Sequence, residues 1–286
     1  DELSSLKEEN ADLSVRRRSL DLLFGMCDGT NPKTIVDELL EYVSSGEVDV
    51  TLREDLVLKV AIVAEKYAPN LRWYVDTILT LIDNAGDSVS DDIWHRVVQI
   101  VTNDKDLQPY AAERLFRTLQ PRHVHATAVI VGAFVVGEFG YLIADKPGCS
   151  FEEQFSTLHR HFEHAETKTK SLMLTAFAKL ANLYPALRPH VTKEMKKFER
   201  HAELELQQRA CEYLKLAAQG DDFVEDVLRE MPAYAADRES ALEKRMQERS
   251  GKSHDPTAAT TKAAPKAEAG ASNGGAARAP APAPPA

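Results

Sequence analysis

The residues of this chain whose types and spacing could do chemistry are few. His159, His161 and His164, with Glu163 among them, form its densest histidine run. A metal site on one helix takes ligands a turn apart, as in H-E-x-x-H, and a structural zinc takes four ligands. His161 and His164 can share a helical face, but no fourth ligand accompanies them; a solvated helix end is expected, not a metal. Gly132-Ala-Phe-Val-Val-Gly137 has the glycine spacing of a phosphate-binding loop. Glu138-Phe139 stand where that loop needs a lysine and a hydroxyl, and the run continues a helical pattern instead of following a strand. Helix packing is expected there. Cys27, Cys149 and Cys211 form no C-x-x-C pair, and no G-x-S-x-G stretch exists. The cysteines read as reduced core residues, Cys27 and Cys211 on apolar helical stripes. Neither an enzyme nor a cofactor is expected.

Two basic clusters could bind something. One is Arg16, Arg17 and Arg18; the other is Lys193, Lys196, Lys197 and Arg200, beside His201. Glu194, Glu199 and Glu203 can pair with the second cluster, and Asp12 and Asp21 with the first, which would make both ordinary solvated faces. The sharper reading is a docking patch for an anionic partner or a lipid headgroup. These seven residues are the candidate binding residues. Nucleic acid is not expected as a general partner, because the formal net charge is −10 and phosphate neutralisation needs basic surface.

The elements that position these side chains are helices. Between Thr51 and Val101 three amphipathic patterns follow one another. In the first, Leu56, Val57, Val60, Ala61, Ala64 and Tyr67 share a face, with Arg53, Asp55, Lys59 and Lys66 mainly opposite. Thr51 and Glu54 have the spacing of a capping box. Asn70 caps the second pattern, where Leu71, Tyr74, Val75, Ile78, Leu79 and Ile82 repeat the stripe until Gly86 ends it. Ser88 or Ser90 starts the third, with Ile93, Trp94, Val97, Val98 and Val101 inward. Stripes this wide on helices this short must be stacked. The first helices of successive pairs begin near Val15, Leu52, Val89, His123, Lys168 and Glu203, the intervals running from 34 to 45 residues. The second helices fall near 32–44, 71–84, 109–119, 151–164, 187–199 and 222–230. In the opening helix Val15, Ser19, Leu22, Leu23 and Met26 are expected inward. The fold class is all-α: an α-solenoid of HEAT/armadillo-like helix pairs.

Ala126–Ala144 has Glu138 as its only charge, a length bordering on a membrane span. Amphipathic helices on either side favour a buried helix, with Gly132, Gly137 and Gly140 admitting close neighbours and Glu138 requiring a partner such as an arginine. Residues 1–249 are expected to form the solenoid, with a last helix near 237–249, and residues 250–286 a disordered Ala/Pro-rich tail. Leu3 and Leu6 have little to pack on within the chain, so it is expected to begin in the middle of an array.

The run from Arg53 to Val101 closely resembles the alpha-adaptins, large subunits of clathrin adaptors. Val15–Asp28 resembles a helix of the adaptin trunk, and further matches are Tyr110-Ala-Ala, Gly137-Glu-Phe-Gly140, Glu205-Leu-Gln-Gln-Arg209 with Glu212-Tyr-Leu214, and Glu230-Met-Pro232 with Arg238-Glu-Ser. The Trp73–Leu79 and Trp94 segment fits the alpha chain better than the gamma chain. The resemblance implies the C-terminal half of an adaptin trunk with the start of its hinge, a scaffold in a heterotetramer with a second large, a medium and a small chain. It implies cargo selection and coat assembly in clathrin-mediated endocytosis, clathrin contacted indirectly, and a peripheral place on the cytosolic face of the plasma membrane at coated pits. The family's phosphoinositide and dileucine-signal sites lie in the N-terminal part of the trunk, so the resemblance assigns no ligand-binding residue here. The alternative is a HEAT-type scaffold of another kind: another adaptin or coat subunit, or a phosphatase or import regulatory subunit.

Overall fold

The computed structural model describes residues 13–44 and 48–235. The expectations for the first dozen residues, for a helix near 237–249 and for the tail lie outside them. The chain divides into two units, Asp1–Gln247 and Glu248–Ala286, and every described residue belongs to the first. Twelve α-helices are found among the described residues, and no strand. They are α1 (Leu13–Met26), α2 (Pro32–Ser44), α3 (Val50–Tyr67), α4 (Leu71–Ala85), α5 (Asp91–Asn103), α6 (Gln108–Thr118), α7 (Ala126–Phe139), α8 (Phe151–Phe162), α9 (Thr167–Leu183), α10 (Arg188–Lys196), α11 (Leu204–Leu216) and α12 (Asp221–Leu228).

The odd-numbered helices are the first members of pairs and the even-numbered ones the second, an α-solenoid in two layers. Helices of one layer pack on one another (α1 on α3, α5 on α7, α7 on α9, α9 on α11; α2 on α4, α4 on α6), and in the four pairs from α3–α4 to α9–α10 on their pair partners. One continuous core runs from Leu20 to Ala210, because each apolar face finds cover only in the next pair. Ion pairs repeat the same logic. Lys59 reaches Asp21 at 2.9 Å, Arg96 reaches Glu65 at 2.9 Å, and Arg114 reaches Asp83 at 2.6 Å. Each joins equivalent helices of successive pairs.

Local rules account for the helix ends, with corrections. Asn70 caps α4 by accepting from the Trp73 N–H at 2.8 Å, and Pro32 opens α2, where its missing N–H costs nothing. The Thr51–Glu54 box is not the cap of α3. Asp49 caps instead, accepting from the backbone N–H of Thr51, and the hydrogen bond from the Thr51 hydroxyl leads in holding the Asp49 carboxyl below its ordinary value. The capping box is at α8, where Ser150 and Glu153 satisfy each other's backbone N–H. Gly86 does not end α4 in a left-handed conformation: its φ is −51°. A Cβ there would lie 2.4 Å from the Cβ of His125, so close approach of the α6–α7 connection is what requires glycine.

The inward faces of α3 and α5 are as expected, except that Tyr67 is only half-buried. Lys59, assigned to the polar face, is buried, held between Asp21 and Asp55. Leu71 is exposed. The opening helix is rotated from its expected setting. Leu20, Leu23 and Cys27 are buried together with Ser19, whereas Val15, Leu22 and Met26 are 47%, 47% and 57% exposed. α1 packs chiefly on α3, and only the face carrying Leu20 and Leu23 can reach it. Cys211 is half-buried rather than core.

The long apolar segment breaks at Gly140, where α7 gives way to a 3-10 turn, Gly140–Ile143. Ala126–Ile143 is apolar enough to cross a bilayer by composition. Here it packs against α5, α6, α8 and α9, and most of its residues are buried. Gln154, fully buried, donates from one amide nitrogen to the carbonyls of Gly140 (2.9 Å) and Cys149 (2.8 Å). The first bond satisfies an acceptor freed where the helix ends, the second one in the loop before α8.

Candidate binding surfaces

The arginine triplet sits on α1. Arg17 and Arg18 are exposed and Arg16 is half-buried. Arg17 donates to the Thr51 hydroxyl at 3.0 Å, tying α1 to the start of α3. Asp21 does not serve the triplet but pairs with Lys59.

The second cluster lies on α10 and the turns that follow it. Lys193, Lys196, Lys197 and Arg200 are all exposed. Lys197 bonds Glu194 at 2.6 Å, as the spacing suggested. Among the described residues, Lys193, Lys196 and Arg200 form no ion pair. Glu194 faces inward, 7% exposed, and also meets His159 of α8 at 3.1 Å. Burial pushes its carboxyl up; hydrogen bonds from Lys197 and His159, with their charges, outweigh that and leave it below its ordinary value of 4.5. Its contribution to stability is therefore present above pH 4.5 and is lost as the pH falls through the folded value. Glu194→Gln is expected to cost about 1–3 kcal/mol at neutral pH. The difference from wild type should close on acidification, which urea melts of both proteins at neutral and acid pH would check.

The histidine run does not form a solvated helix end. His161 is buried, with Nε2 2.8 Å from the Leu119 carbonyl; His159 is half-buried against Glu194, and only His164 is exposed. Their partners lie on different elements. Among the described residues no three His, Cys, Asp or Glu side chains converge as a metal site would need. The glycine run lies within α7, with Gly132 against Leu119 and Gly137 against Ala176.

Two arrangements had no signal in the spacing. First, the segment after α12 runs back over three earlier helices. Lys179 of α9 pairs with Glu138 of α7 at 2.6 Å and also donates to the Arg229 carbonyl at 3.0 Å. Glu138 in turn accepts from the Met231 N–H at 3.1 Å, and Tyr141 donates to Glu230 at 3.0 Å. Asn103 of α5 closes the run with two bonds to the backbone of Tyr234, at 2.7 and 3.2 Å. The partner of Glu138 is thus a lysine, and the pair anchors a strap. Secondly, Arg122 and His123 after α6 share a groove with Arg160 and His164 of the α8–α9 region. The residues are far apart in sequence, and only the stacking of pairs brings them together.

A family model described as the adaptin N terminal region matches residues 2–221. The chain is 49% identical over 232 residues to the AP-2 complex subunit alpha-2 of Dictyostelium discoideum, covering 81% of this chain and 23% of that protein. It is 50% identical over 247 residues to the AP-2 complex subunit alpha-1 of Arabidopsis thaliana, covering 85% and 24%. To the AP-1 complex subunit gamma of Dictyostelium discoideum it is 33% identical over 223 residues, covering 73% and 25%. The chain thus spans about a quarter of the length of the curated relatives it matches. With twelve stacked helices among its described residues and that match over most of its length, the chain belongs to the adaptin family.

Proposed function

We propose that this chain is a scaffold segment of the alpha-type large subunit of a heterotetrameric clathrin adaptor. It would correspond to the C-terminal half of the trunk (residues 1–249) and the start of the hinge (250–286). The observation that carries the reading is the contrast in identity, about half with alpha subunits of AP-2 complexes against a third with an AP-1 gamma subunit. Stacked helix pairs supply the mechanism: a long surface on which a second large, a medium and a small chain bury area, with rigid-body flexing of the stack changing which surfaces face the membrane. The assembly would act on the cytosolic face of the plasma membrane in cargo selection and coat assembly, and reach clathrin indirectly. No chemistry is assigned to the chain itself. Within this reading Arg16, Arg17 and Arg18, and Lys193, Lys196, Lys197 and Arg200, are the patches offered to an anionic partner or headgroup.

Co-expression tests it. With the small and medium adaptor chains this chain is expected to co-purify as a stable complex, and with a phosphatase catalytic subunit it is not. The reverse outcome overturns the adaptor reading in favour of another HEAT-type scaffold.

A further inference from the structure

The α6–α7 connection and the α8–α9 turn line one groove of about 1230 Å³. Four arginines and four histidines line it, against Asp83, Asp87 and Glu166. Two of those acids are already engaged inside the groove: Asp83 by Arg114 at 2.6 Å and Asp87 by His125 at 3.3 Å. Arg122, His123 and His164 are exposed and form no ion pair among the described residues. Arg160 gives one guanidinium nitrogen to the Gln120 carbonyl at 2.6 Å, which fixes the group beside the connection; among the described residues its other donors are unspent. With its histidines neutral the lining still carries four arginines against three acids, on a chain whose formal net charge counted the same way is −10, and a concave wall focuses the field of such a surface.

The groove's size and lining select among anionic ligands. It exceeds the roughly 300–1,000 Å³ of small-molecule sites, so a lone phosphate would leave most of it empty. Apolar side chains, Pro121, Val124 and Val129, line it together with the cations. The stretch His123–His125 has no regular secondary structure, and among the described residues its backbone N–H groups find no protein partner. An extended chain is recognised by such a surface, with backbone donors free and alternate side chains received differently.

We propose that this groove binds an extended acidic peptide segment of a partner protein. Its carboxylates meet Arg122, His123, Arg160 and His164, and its apolar side chains rest on Pro121 and Val124. The groove's charge and shape support such binding whether or not the chain is part of an adaptor.

The test is a fluorescence-anisotropy titration of the full 286-residue chain against a fluorescein-labelled peptide of alternating glutamate and leucine. Wild type is expected to bind, more weakly as salt rises. The double variant Arg122→Glu/His164→Glu is expected to bind roughly tenfold more weakly or worse. Both side chains are exposed, so its thermal melt should match wild type; Arg122→Gln, with no reversed charge, should fall between. Lys33→Glu/Lys105→Glu, exposed and outside both the groove and the two basic patches, should bind as wild type does. No binding by wild type, an unchanged affinity in the groove variants, or an equal loss in the Lys33/Lys105 variant would overturn the proposal. So would phosphatidylserine vesicles binding through Arg122 while the peptide does not, which would make the groove a membrane contact.

Discussion

Replacing Gly137 with valine is expected to destabilise the chain by about 3 kcal/mol or more, a large part of the roughly 5–15 kcal/mol that holds a domain folded. Gly137 packs on Ala176 where α7 meets α9, and the contact between these helices is the most extensive in the stack. A Cβ on it would lie 2.6 Å from the Cβ of Ala176 and 3.0 Å from its Cα. Neither atom is the movable end of a side chain, so relief requires the two helices to part and the core around Leu174, Phe177 and Val136 to open with them. Alanine at 137 is the sharper comparison. It would gain up to about 1 kcal/mol of helix propensity, yet a net loss is still expected because the clash outweighs that gain. Ala176→Gly in the same chain removes the opposing methyl and should recover much of the loss, a coupling that a double-mutant cycle of urea melts would read directly. A Gly137→Val protein melting like wild type would mean that the two helices do not pack this closely.

Lys179→Met is expected to cost about 3–5 kcal/mol. The side chains of Lys179 and Glu138 are 12% and 8% exposed, so removing the ammonium leaves a carboxylate in the interior with, among the described residues, only the Met231 N–H beside it. The charge, not the volume, carries the cost, and Glu138→Gln/Lys179→Met should restore most of it, since neutral groups of similar size replace a buried pair at little expense. The strap gives a second readout. Lys179 also holds the Arg229 carbonyl, so the single variant should speed hydrogen exchange at the amides of Met231 and Tyr234 before the global transition. Equal protection in both proteins would show that the strap does not depend on the pair.

Much of this architecture could be read along the chain, and the misreadings share a cause. The second helices begin within a residue or so of where periodicity put them: Pro32, Leu71, Gln108, Phe151, Arg188 and Asp221. Local signals decide helix starts, and Asn70 and Pro32 act within one turn of themselves. Errors arose where a local rule competed with a neighbour the chain could not name. Val15, Leu22 and Met26 make as good a stripe as Leu20, Leu23 and Cys27, and only the position of α3 chooses between them. Lys59 reads as solvent-facing until Asp21 of the preceding pair is brought to it. Gly86 reads as a helix stop until His125 arrives above it.

Composition and 3.6-residue periodicity were thus enough to establish an all-α chain of paired helices, because each helix is specified by contacts within a few residues of itself. The family likeness was legible for the same reason, residing in contiguous runs such as Arg53–Val101. The tertiary structure alone decided which face of α1 is buried, which lysine neutralises Glu138, that the segment from Arg229 to Tyr234 straps α9, α7 and α5, and that Arg122 and His164 share a groove. Those pairings join residues from 41 to 131 positions apart, and no periodicity within one helix encodes the offset at which two helices come to rest. That offset is set by side-chain packing across the interface, where the small size of Gly137 and Ala176 lets α7 and α9 close to contact.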